Sequence, residues 1–300
     1  MATIGITGGS GFVGRALTIA LKRNGDEVII FSRSPKGRTG FAHWDPKKGT
    51  IDTVALQKLD AVVHLAGAGV ADKRWTAARK KEIYNSRVSG TRLLVDALRQ
   101  HAPNCKTLVS ASAIGYYGEN KPGDPLFTEV SPPASDFLGK TCRDWEAEAQ
   151  KAGDFCRVAL IRTGIVLGKG GGALPQLTKS FPLRIVPILG SGRQTVSWIH
   201  LDDLVGIYLF ALKNTGLSGP YNAVAPSPVS HRALQNALAK AKGGPFLKVP
   251  VPAVFLKAAM GEMSVEVLKS CGVDSGKITE AGYDFRFGNI ENAAKDLMRR

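Results

Sequence analysis

Residues 6–14 read Ile-Thr-Gly-Gly-Ser-Gly-Phe-Val-Gly, and this stretch decides the fold. It follows the apolar residues Ile4 and Ile6 and precedes the helix-like run 15–22, so it predicts a strand, a glycine-rich turn and a helix. Glycines at 8, 11 and 14 allow a tight turn, a close approach of the backbone to a pyrophosphate, and close packing of the helix on the strand. The first N–H groups of the helix would then face the anion, so we expect a dinucleotide site here.

The end of the second strand indicates which dinucleotide binds. The predicted second strand, 27–31, is apolar from Val28 onward and is followed by Ser32 and Arg33, with Lys36 close by. An NAD site usually has Asp or Glu at this point, which accepts a hydrogen bond from the ribose 2′-hydroxyl. A guanidinium instead pairs with a 2′-phosphate, and a serine hydroxyl can donate to it. The sequence therefore predicts NADP(H), with a solvated loop arginine as the alternative.

Composition limits the class of protein and its partners. The chain has 300 residues, of which 44% are hydrophobic, enough for one large domain or two coupled ones. Its net charge of +15 is typical of proteins that bind nucleic acids or anionic membranes, but Lys and Arg are spread along the chain without a nucleic-acid-binding signature. We expect a small-molecule substrate, with no nucleic acid and no membrane as partner, and leave a homodimer open. No apolar run of about 20 residues and no signal peptide is found, which favours a cytoplasmic protein.

Cysteine and histidine do not form a ligand pattern. The four cysteines lack a Cys-x-x-Cys spacing, and the five histidines are scattered. We therefore expect neither a disulfide framework nor a metal site.

Strand and helix signals alternate through the first half of the chain, as a parallel sheet requires. The predicted fold class is α/β: a Rossmann-type doubly wound parallel sheet with a smaller C-terminal α+β lobe. We place the NADP-binding Rossmann domain at 1–225 and a substrate-side domain at 226–300, and we expect 166–195 to contribute to the substrate cleft.

Several segments resemble the extended short-chain dehydrogenase/reductase superfamily, namely 60–67, 86–91 and 198–204. A narrower set resembles the atypical "epimerase family" proteins, which have an NAD-dependent epimerase/dehydratase-like core and a small C-terminal domain of unknown function. The segments of this narrower set are 73–75, 82, 86–87, 112–118, 162–172, 190–194, 219–226 and 261–262. This resemblance implies an NADP(H) cofactor and names no substrate.

The glycine turn, the second strand and the resemblance together give a set of site residues. The expected cofactor contacts are Gly8, Gly11, Phe12, Val13, Gly14, Ser32, Arg33, Leu65, Ala66, Gly67, Glu82, Arg87, Ser110, Lys140, Arg162 and Gly164. The expected substrate contacts are Tyr117, Arg193 and Trp198, and the expected catalytic residues are Ser112, Tyr116 and Lys140.

The catalytic helix departs from the pattern of the superfamily, which uses Tyr-x-x-x-Lys together with a serine. Ser112 matches the serine and Lys140 the lysine, but Asp136 stands in the tyrosine's place. A lysine lowers the pKa of a neighbouring carboxyl, which makes it a poor proton donor. Tyr116 or Tyr117 is then the expected donor, with aromatic packing as the alternative.

Two functional classes follow from these residues. The first is an NADP(H)-dependent oxidoreductase or nucleotide-sugar epimerase-like enzyme of unknown substrate. The second is a catalytically impaired NADP(H)-binding regulatory or sensor protein, related by its family labels to cell division. Asp136 favours the second, whereas Ser112, Lys140 and a basic cleft favour the first, which we adopt as the prediction.

Overall fold

The computed structural model describes residues 1–35, 37–121 and 123–299, so Lys36 lies outside the described residues. The strands are β1 (Thr3–Thr7), β2 (Glu27–Ser32), β3 (Phe41–Asp45), β4 (Thr50–Ile51), β5 (Ala61–His64), β6 (Thr107–Ala113), β7 (Arg157–Thr163), β8 (Ile165–Gly168), β9 (Gly171–Gly172), β10 (Ile185–Leu189), β11 (Thr195–Val196), β12 (Trp198–His200), β13 (Gly219–Ala223), β14 (Val229–Ser230) and β15 (Leu247–Val251). The helices are α1 (Phe12–Arg23), α2 (Thr53–Leu56), α3 (Ala77–His101), α4 (Phe137–Gln150), α5 (Leu174–Leu177), α6 (Leu201–Lys213), α7 (His231–Lys242), α8 (Ala253–Met260), α9 (Ser264–Leu268), α10 (Gly276–Glu280) and α11 (Ile290–Met298).

The central sheet has eight strands in the order β13-β7-β6-β5-β1-β2-β3-β4. Neighbouring strands are parallel except for β3 and β4, which are antiparallel. The chain leaves β1 through α1 towards β2 and later leaves β5 through α3 in the opposite direction. The topological switch point therefore lies between the carboxyl ends of β1 and β5, where open α/β sheets bind ligands. The predicted Rossmann-type fold is confirmed.

Two apolar layers hold the sheet. On one face Leu17 of α1 and Ile207 of α6 pack against the buried side chains of β1, and on the other Leu94 of α3 and Ala149 of α4 pack against Val62 of β5. The central strands are continuous apolar runs because both faces are covered. In this three-layer arrangement the helices cover both faces of the sheet. We refer to the edge formed by the carboxyl ends of the strands as the rim of the sheet.

The C-terminal part packs against β12 in a separate apolar cluster, which includes Trp198, Leu234 and Ile290. It also packs back on the Rossmann core, because Ile278 lies in the first layer and the Tyr283 hydroxyl donates to the Asp203 carbonyl at 2.9 Å. The division into 1–225 and 226–300 stays a prediction. No helix within the described ranges is long and apolar enough to cross a bilayer.

Candidate functional site

The glycine turn connects β1 to α1 at the switch point. Gly8 has φ +71°, and the Gly11 amide donates to its carbonyl at 2.9 Å. A Cβ on Gly14 would lie 2.3 Å from the Gly8 oxygen, and a Cβ on Gly8 would lie 2.9 Å from the Ala66 nitrogen. Close packing of the helix and of the β5 loop against the turn therefore requires glycine at positions 8 and 14.

Gly11 is required for a different reason. A Cβ there would meet only the Gly8 oxygen, at 3.1 Å, among the described residues outside its immediate neighbours. Gly11 is exposed and is the N-cap of α1, where no side chain caps the helix and the first turn holds no acidic residue. The first N–H groups of a 12-residue helix thus face open space, an arrangement that suits a phosphate group.

The Phe12 ring lies over the hairpin formed by β8 and β9. A Cβ on Gly168 or Gly171 would lie 2.6 or 2.2 Å from the ring, so this hairpin is glycine-rich because Phe12 packs on it. Val13 packs against the first apolar layer. Because both side chains pack within the protein, the predicted ligand contacts of Phe12 and Val13 would be made by their backbone groups. The Phe12 ring also connects the glycine turn to the segment 166–195.

Two guanidinium groups lie beside the end of β2. Arg33 is exposed, and the Ser32 hydroxyl accepts from the Ser34 amide at 3.3 Å. Arg38, which the sequence analysis missed, stacks over Phe41 at 4.0 Å from the ring centroid and donates to the Ser34 carbonyl at 3.3 Å. Neither arginine forms an ion pair within 1–35, 37–121 and 123–299. An arginine three residues before an aromatic strand residue was the available signal for Arg38.

Hydrogen bonds of His64 hold the loop after β5 next to the glycine turn. Its Nδ1 is 2.6 Å from the Thr7 hydroxyl and its Nε2 is 2.9 Å from the Thr91 hydroxyl, while the Ala66 amide donates to Thr7 at 3.4 Å. Burial, followed by the charge of Arg87, lowers the pKa of His64 to about 4. The neutral ring thus holds Leu65, Ala66 and Gly67 beside Gly8.

This histidine should make the fold acid-sensitive. The native ring stays neutral down to about pH 4, whereas in the unfolded chain it gains a proton below about pH 6.5. The unfolded state therefore binds more protons in that window, so His64 should lower stability by about 2–3 kcal/mol between pH 7 and 4.5. Urea unfolding at several pH values should give a flatter profile for His64→Gln than for wild type. Equal slopes would contradict this assignment.

A buried polar network joins β6, α4, β7 and β13. The Ser112 hydroxyl donates to Glu146 at 2.6 Å, and Arg162 donates to both oxygens of Glu146 at 2.8 Å. Arg162 also donates to the Tyr117 hydroxyl at 2.9 Å, which in turn donates to Asn222 at 2.7 Å. Burial raises the pKa of Tyr117 to about 12. Burial alone would lower the pKa of Arg162, but the hydrogen bonds and charge of Glu146 raise it, so Arg162 stays a cation.

Sequence reasoning missed Glu146 and Asn222. The signal for Glu146 was an acidic residue on the apolar face of a helix, where a carboxylate needs a partner. Because the network occupies the polar atoms of Ser112, Tyr117 and Arg162 within the protein, their predicted ligand contacts stay predictions.

Three other predicted residues are also held within the protein. Ser110 is buried and donates to the Ala111 carbonyl at 3.2 Å, and a Cβ on Gly164 would lie 2.7 Å from the Ser197 oxygen. Trp198 is fully buried and donates to the Ser227 carbonyl at 3.1 Å. These three residues are therefore held by contacts within the protein, and their ligand contacts stay predictions.

Helix α4 differs from the expected motif geometry. Asp136 is its exposed N-cap and accepts from the Gly139 amide at 2.7 Å, and Lys140 is exposed. A Cβ on Gly115 would lie 3.3 Å from Leu138 and 3.9 Å from the Cys142 sulfur, so these two residues face the end of β6. The expectation that Asp136 replaces a site-facing tyrosine is wrong, because the helix begins only after Asp136. The structure does not bring Lys140 to Ser112.

Tyr116 is the tyrosine that the network leaves accessible. It ends a short 3-10 helix, Ile114–Tyr116, and is half-buried. The Arg162 guanidinium lies 3.6 Å from its ring centroid. No described residue hydrogen-bonds to its hydroxyl, so Tyr116 fits the predicted role of proton donor better than Tyr117 does.

Helix α3 contributes charged groups on the β5 side. Glu82 is exposed and accepts from Arg79 at 2.7 Å, a hydrogen bond that lowers the pKa of Glu82. Arg87 instead lies against Gly67 and donates to the Ala68 carbonyl at 2.9 Å. Of these two predicted cofactor contacts, the structure brings Arg87 to the rim of the sheet and leaves Glu82 paired at the surface.

The C-terminal helices reach across the rim. Lys80 of α3 pairs with Glu262, and Arg74 donates to the Ala258 carbonyl at 3.3 Å. On the α4 side, Lys269 lies 3.9 Å from Asp136. These contacts connect the C-terminal part to α3 and to the start of α4. Arg193 is exposed on the loop after β10 and forms no ion pair with a described residue. Its role in substrate binding stays a prediction.

Among the described residues, neither a cluster of metal ligands nor the opposite edge of the sheet competes with the glycine turn as a ligand site. In the described ranges, no group of three or more His, Cys, Asp or Glu could hold a metal ion. A hollow of about 770 Å³ lies between Lys106, Arg157 and Gly219, at the amino ends of β6, β7 and β13. Ligands of such sheets bind at the carboxyl ends, so the glycine-turn rim is the candidate site.

Comparison with known proteins agrees with this geometry. The model of the NAD dependent epimerase/dehydratase family matches residues 4–223. The chain belongs to this family. Residues 251–297 of this family member match a domain of unknown function, DUF1731. The predicted resemblance to the epimerase-family proteins is thereby confirmed.

Relatives match nearly the whole length of this epimerase-family chain. "Epimerase family protein SDR39U1 homolog, chloroplastic" of Arabidopsis thaliana is 37% identical, covering 99% of this chain and 87% of the relative. A crystal structure of human epimerase family protein SDR39U1 (isoform2) with NADPH has a TM-score of 0.90 and 31% identity, covering 99% of both chains. The UDP-glucuronic acid 4-epimerase of Bacillus cereus, in complex with UDP-glucuronic acid and NAD, has a TM-score of 0.80 at 19% identity over 99% of this chain and 98% of that one, a likeness of fold alone. The predicted cytoplasmic location stays a prediction.

Proposed function

We propose that this epimerase-family protein binds NADP(H) along the rim of the sheet and uses it in an oxidoreductase or epimerase-type reaction on a small molecule. The observation that carries the proposal is the end of β2, where Arg33 and Arg38 stand without carboxylate partners among the described residues and no acidic residue follows the strand. The open N-terminus of α1 beside Gly11 supports it. The human relative's structure with NADPH supports the same choice of cofactor.

Different residues along the rim of the sheet would bind different parts of the cofactor and the substrate. The first N–H groups of α1 hold the pyrophosphate, and Ser32 and Arg33 hold the 2′-phosphate. When bound, the nicotinamide gives or takes a hydride. Tyr116 gives the matching proton to the substrate oxygen, or removes it in the reverse direction. The substrate lies in the cleft bordered by α3, α4 and the C-terminal helices, with Arg193 available for an anionic group.

The cofactor preference can be measured directly. We expect wild-type protein to bind NADPH at least about tenfold tighter than NADH, because a charge-assisted phosphate pair contributes roughly 1.5–3 kcal/mol. Arg33→Ala should remove most of this preference, and Arg38→Ala should reduce it. Calorimetric titration with both nucleotides measures the ratio.

The matched control is Arg23→Ala, at the far end of α1. It should leave both affinities unchanged, since it removes the same charge away from the proposed phosphate. Equal affinity of the wild-type protein for NADH and NADPH would refute the assignment.

A further inference from the structure

Among the described residues, the face of α4 that lies against β6 carries no cation. Leu138, Cys142 and Glu146 point to this side, one helical turn apart, and Glu146 is paired with Arg162. Burial raises the pKa of the Cys142 thiol to about 12, so it stays neutral. Neither Leu138 nor Cys142 can therefore supply the positive charge that the motif lysine of the superfamily supplies.

A guanidinium from α3 occupies the neighbouring space. The Arg87 Cζ would be 3.1 Å from a Cβ on Gly67, so glycine at this position allows the group to lie against the loop after β5. Its Nη1 donates to the carbonyls of Ala68 and Ile83 at 2.9 and 3.3 Å. The guanidinium also lies 5.2 Å from the Trp145 ring centroid, and its charge acts on Cys142. Arg87 thus stands between α3, α4 and the ends of β5 and β6.

Arg87 lacks the charge partner that comparable arginines of this chain have. Arg162 is paired with Glu146, and Arg79 is paired with Glu82. Across 1–35, 37–121 and 123–299, no carboxylate pairs with Arg87, and its Nε and Nη2 have no hydrogen-bond acceptor. Arg87 is half-buried, and its Nε and Nη2 are open to solvent, so a bound molecule can reach them. Such a group is expected where a ligand completes its hydrogen bonds.

The position of Arg87 identifies the ligand group. In the proposed function the 2′-phosphate lies at the end of β2 and the pyrophosphate at the glycine turn. A dinucleotide that crosses the switch point then places its other half over β5 and β6, where Arg87 lies. Ribose hydroxyls and a carboxamide oxygen accept hydrogen bonds from a guanidinium.

We propose that Arg87 holds the nicotinamide half of NADP(H) and takes the place of the motif lysine, so that the site favours the reduced cofactor. This inference rests on the proposed function. The oxidised nicotinamide ring carries a positive charge and the reduced ring is neutral. A fixed cation beside the ring therefore weakens binding of NADP+ relative to NADPH.

The test compares both redox forms by calorimetry on four variants. For Arg87→Met and Arg87→Gln, we expect the ratio of the NADP+ and NADPH dissociation constants to fall about tenfold from the wild-type value. Arg87→Lys should retain the ratio within about threefold, because it keeps the charge. Arg99→Met, a control at an exposed arginine on the same helix, should leave the ratio unchanged. The melting temperature of the cofactor-free Arg87→Met protein should equal or exceed that of wild type, since an unpaired charge is removed.

The possible results separate this inference from the proposed function. Wild-type protein that binds neither nucleotide would refute the proposed function itself. Wild-type binding with an unchanged ratio in the folded neutral variants would overturn the role of Arg87 alone. Equal weakening of both redox forms with a lower cofactor-free melting temperature, or failure of both neutral variants to fold, would show that Arg87 is structural and would also overturn it.

Discussion

Replacing Gly11 with valine should abolish NADPH binding while the fold persists, whereas replacing Gly14 with valine should disrupt the fold. A side chain at Gly11 needs only a small shift of the Gly8 oxygen, 3.1 Å from its Cβ, and it fills the space in front of the α1 amides. Loss of two or more charge-assisted bonds to phosphate, roughly 1.5–3 kcal/mol each, corresponds to about 10²–10⁴-fold in affinity. A side chain at Gly14 would collide with the Gly8 oxygen at 2.3 Å and the Gly9 Cα at 2.6 Å.

Calorimetry and thermal unfolding of the two variants separate these effects. Gly11→Val should keep the wild-type melting temperature and lose the calorimetric signal, whereas Gly14→Val should melt well below wild type. Gly153→Val is the matched control, because no described atom outside its neighbours in the chain lies within 4 Å of a Cβ at that position. A folded Gly11→Val protein with unchanged affinity would mean that the pyrophosphate lies elsewhere.

The sheet and the glycine turn could be predicted from sequence because their signals are local. The spacing of Gly8, Gly11 and Gly14 indicates where the backbone turns and where the helix packs closely on the strand. The apolar runs between helix-like segments indicate which segments are strands. The signal for Arg33 is equally local, since this arginine directly follows β2 in the sequence. The structure adds Arg38, whose position depends on stacking against Phe41 of the next strand.

The side of α4 that faces the site could not be predicted in this way. A Tyr-x-x-x-Lys spacing fixes the separation of two residues but not the face of the helix on which they lie. At 3.6 residues per turn, Lys140 is about 160° away from both Leu138 and Cys142 around the helix axis. Packing of Leu138 and Cys142 against the β6 end decides the orientation, together with the bond from Ser112 to Glu146.

The corrected orientation changes what engineering of this helix should achieve. Asp136→Tyr should give no gain in turnover, and it should lower stability by about 0.5–2 kcal/mol because it removes the N-cap. The pair Leu138→Tyr with Cys142→Lys, in contrast, would place the motif side chains towards the β6 end.

Tyr116→Phe should reduce turnover by about 10²–10⁴-fold, the usual contribution of a positioned acid–base group, while NADPH affinity stays near wild type. The neighbouring Tyr117→Phe should mainly lower stability, by about 1 kcal/mol, because its hydroxyl is bonded to Asn222 within the buried network. The two variants remove the same atom from adjacent residues, so a loss of turnover confined to Tyr116 identifies the proton donor. The measurement is NADPH oxidation with a panel of ketones, quinones and keto-sugars.

Equal turnover in wild type and Tyr116→Phe would exclude Tyr116 as the donor. Tight NADPH binding without turnover of any panel member would instead favour a regulatory protein whose cofactor is a ligand. That result would agree with the observed side chains, because the α4 face towards β6 has neither a tyrosine nor a lysine and Ser112 is engaged with Glu146. Turnover that depends on Tyr116 would mean that this family member moved its proton donor from the helix to the turn after β6.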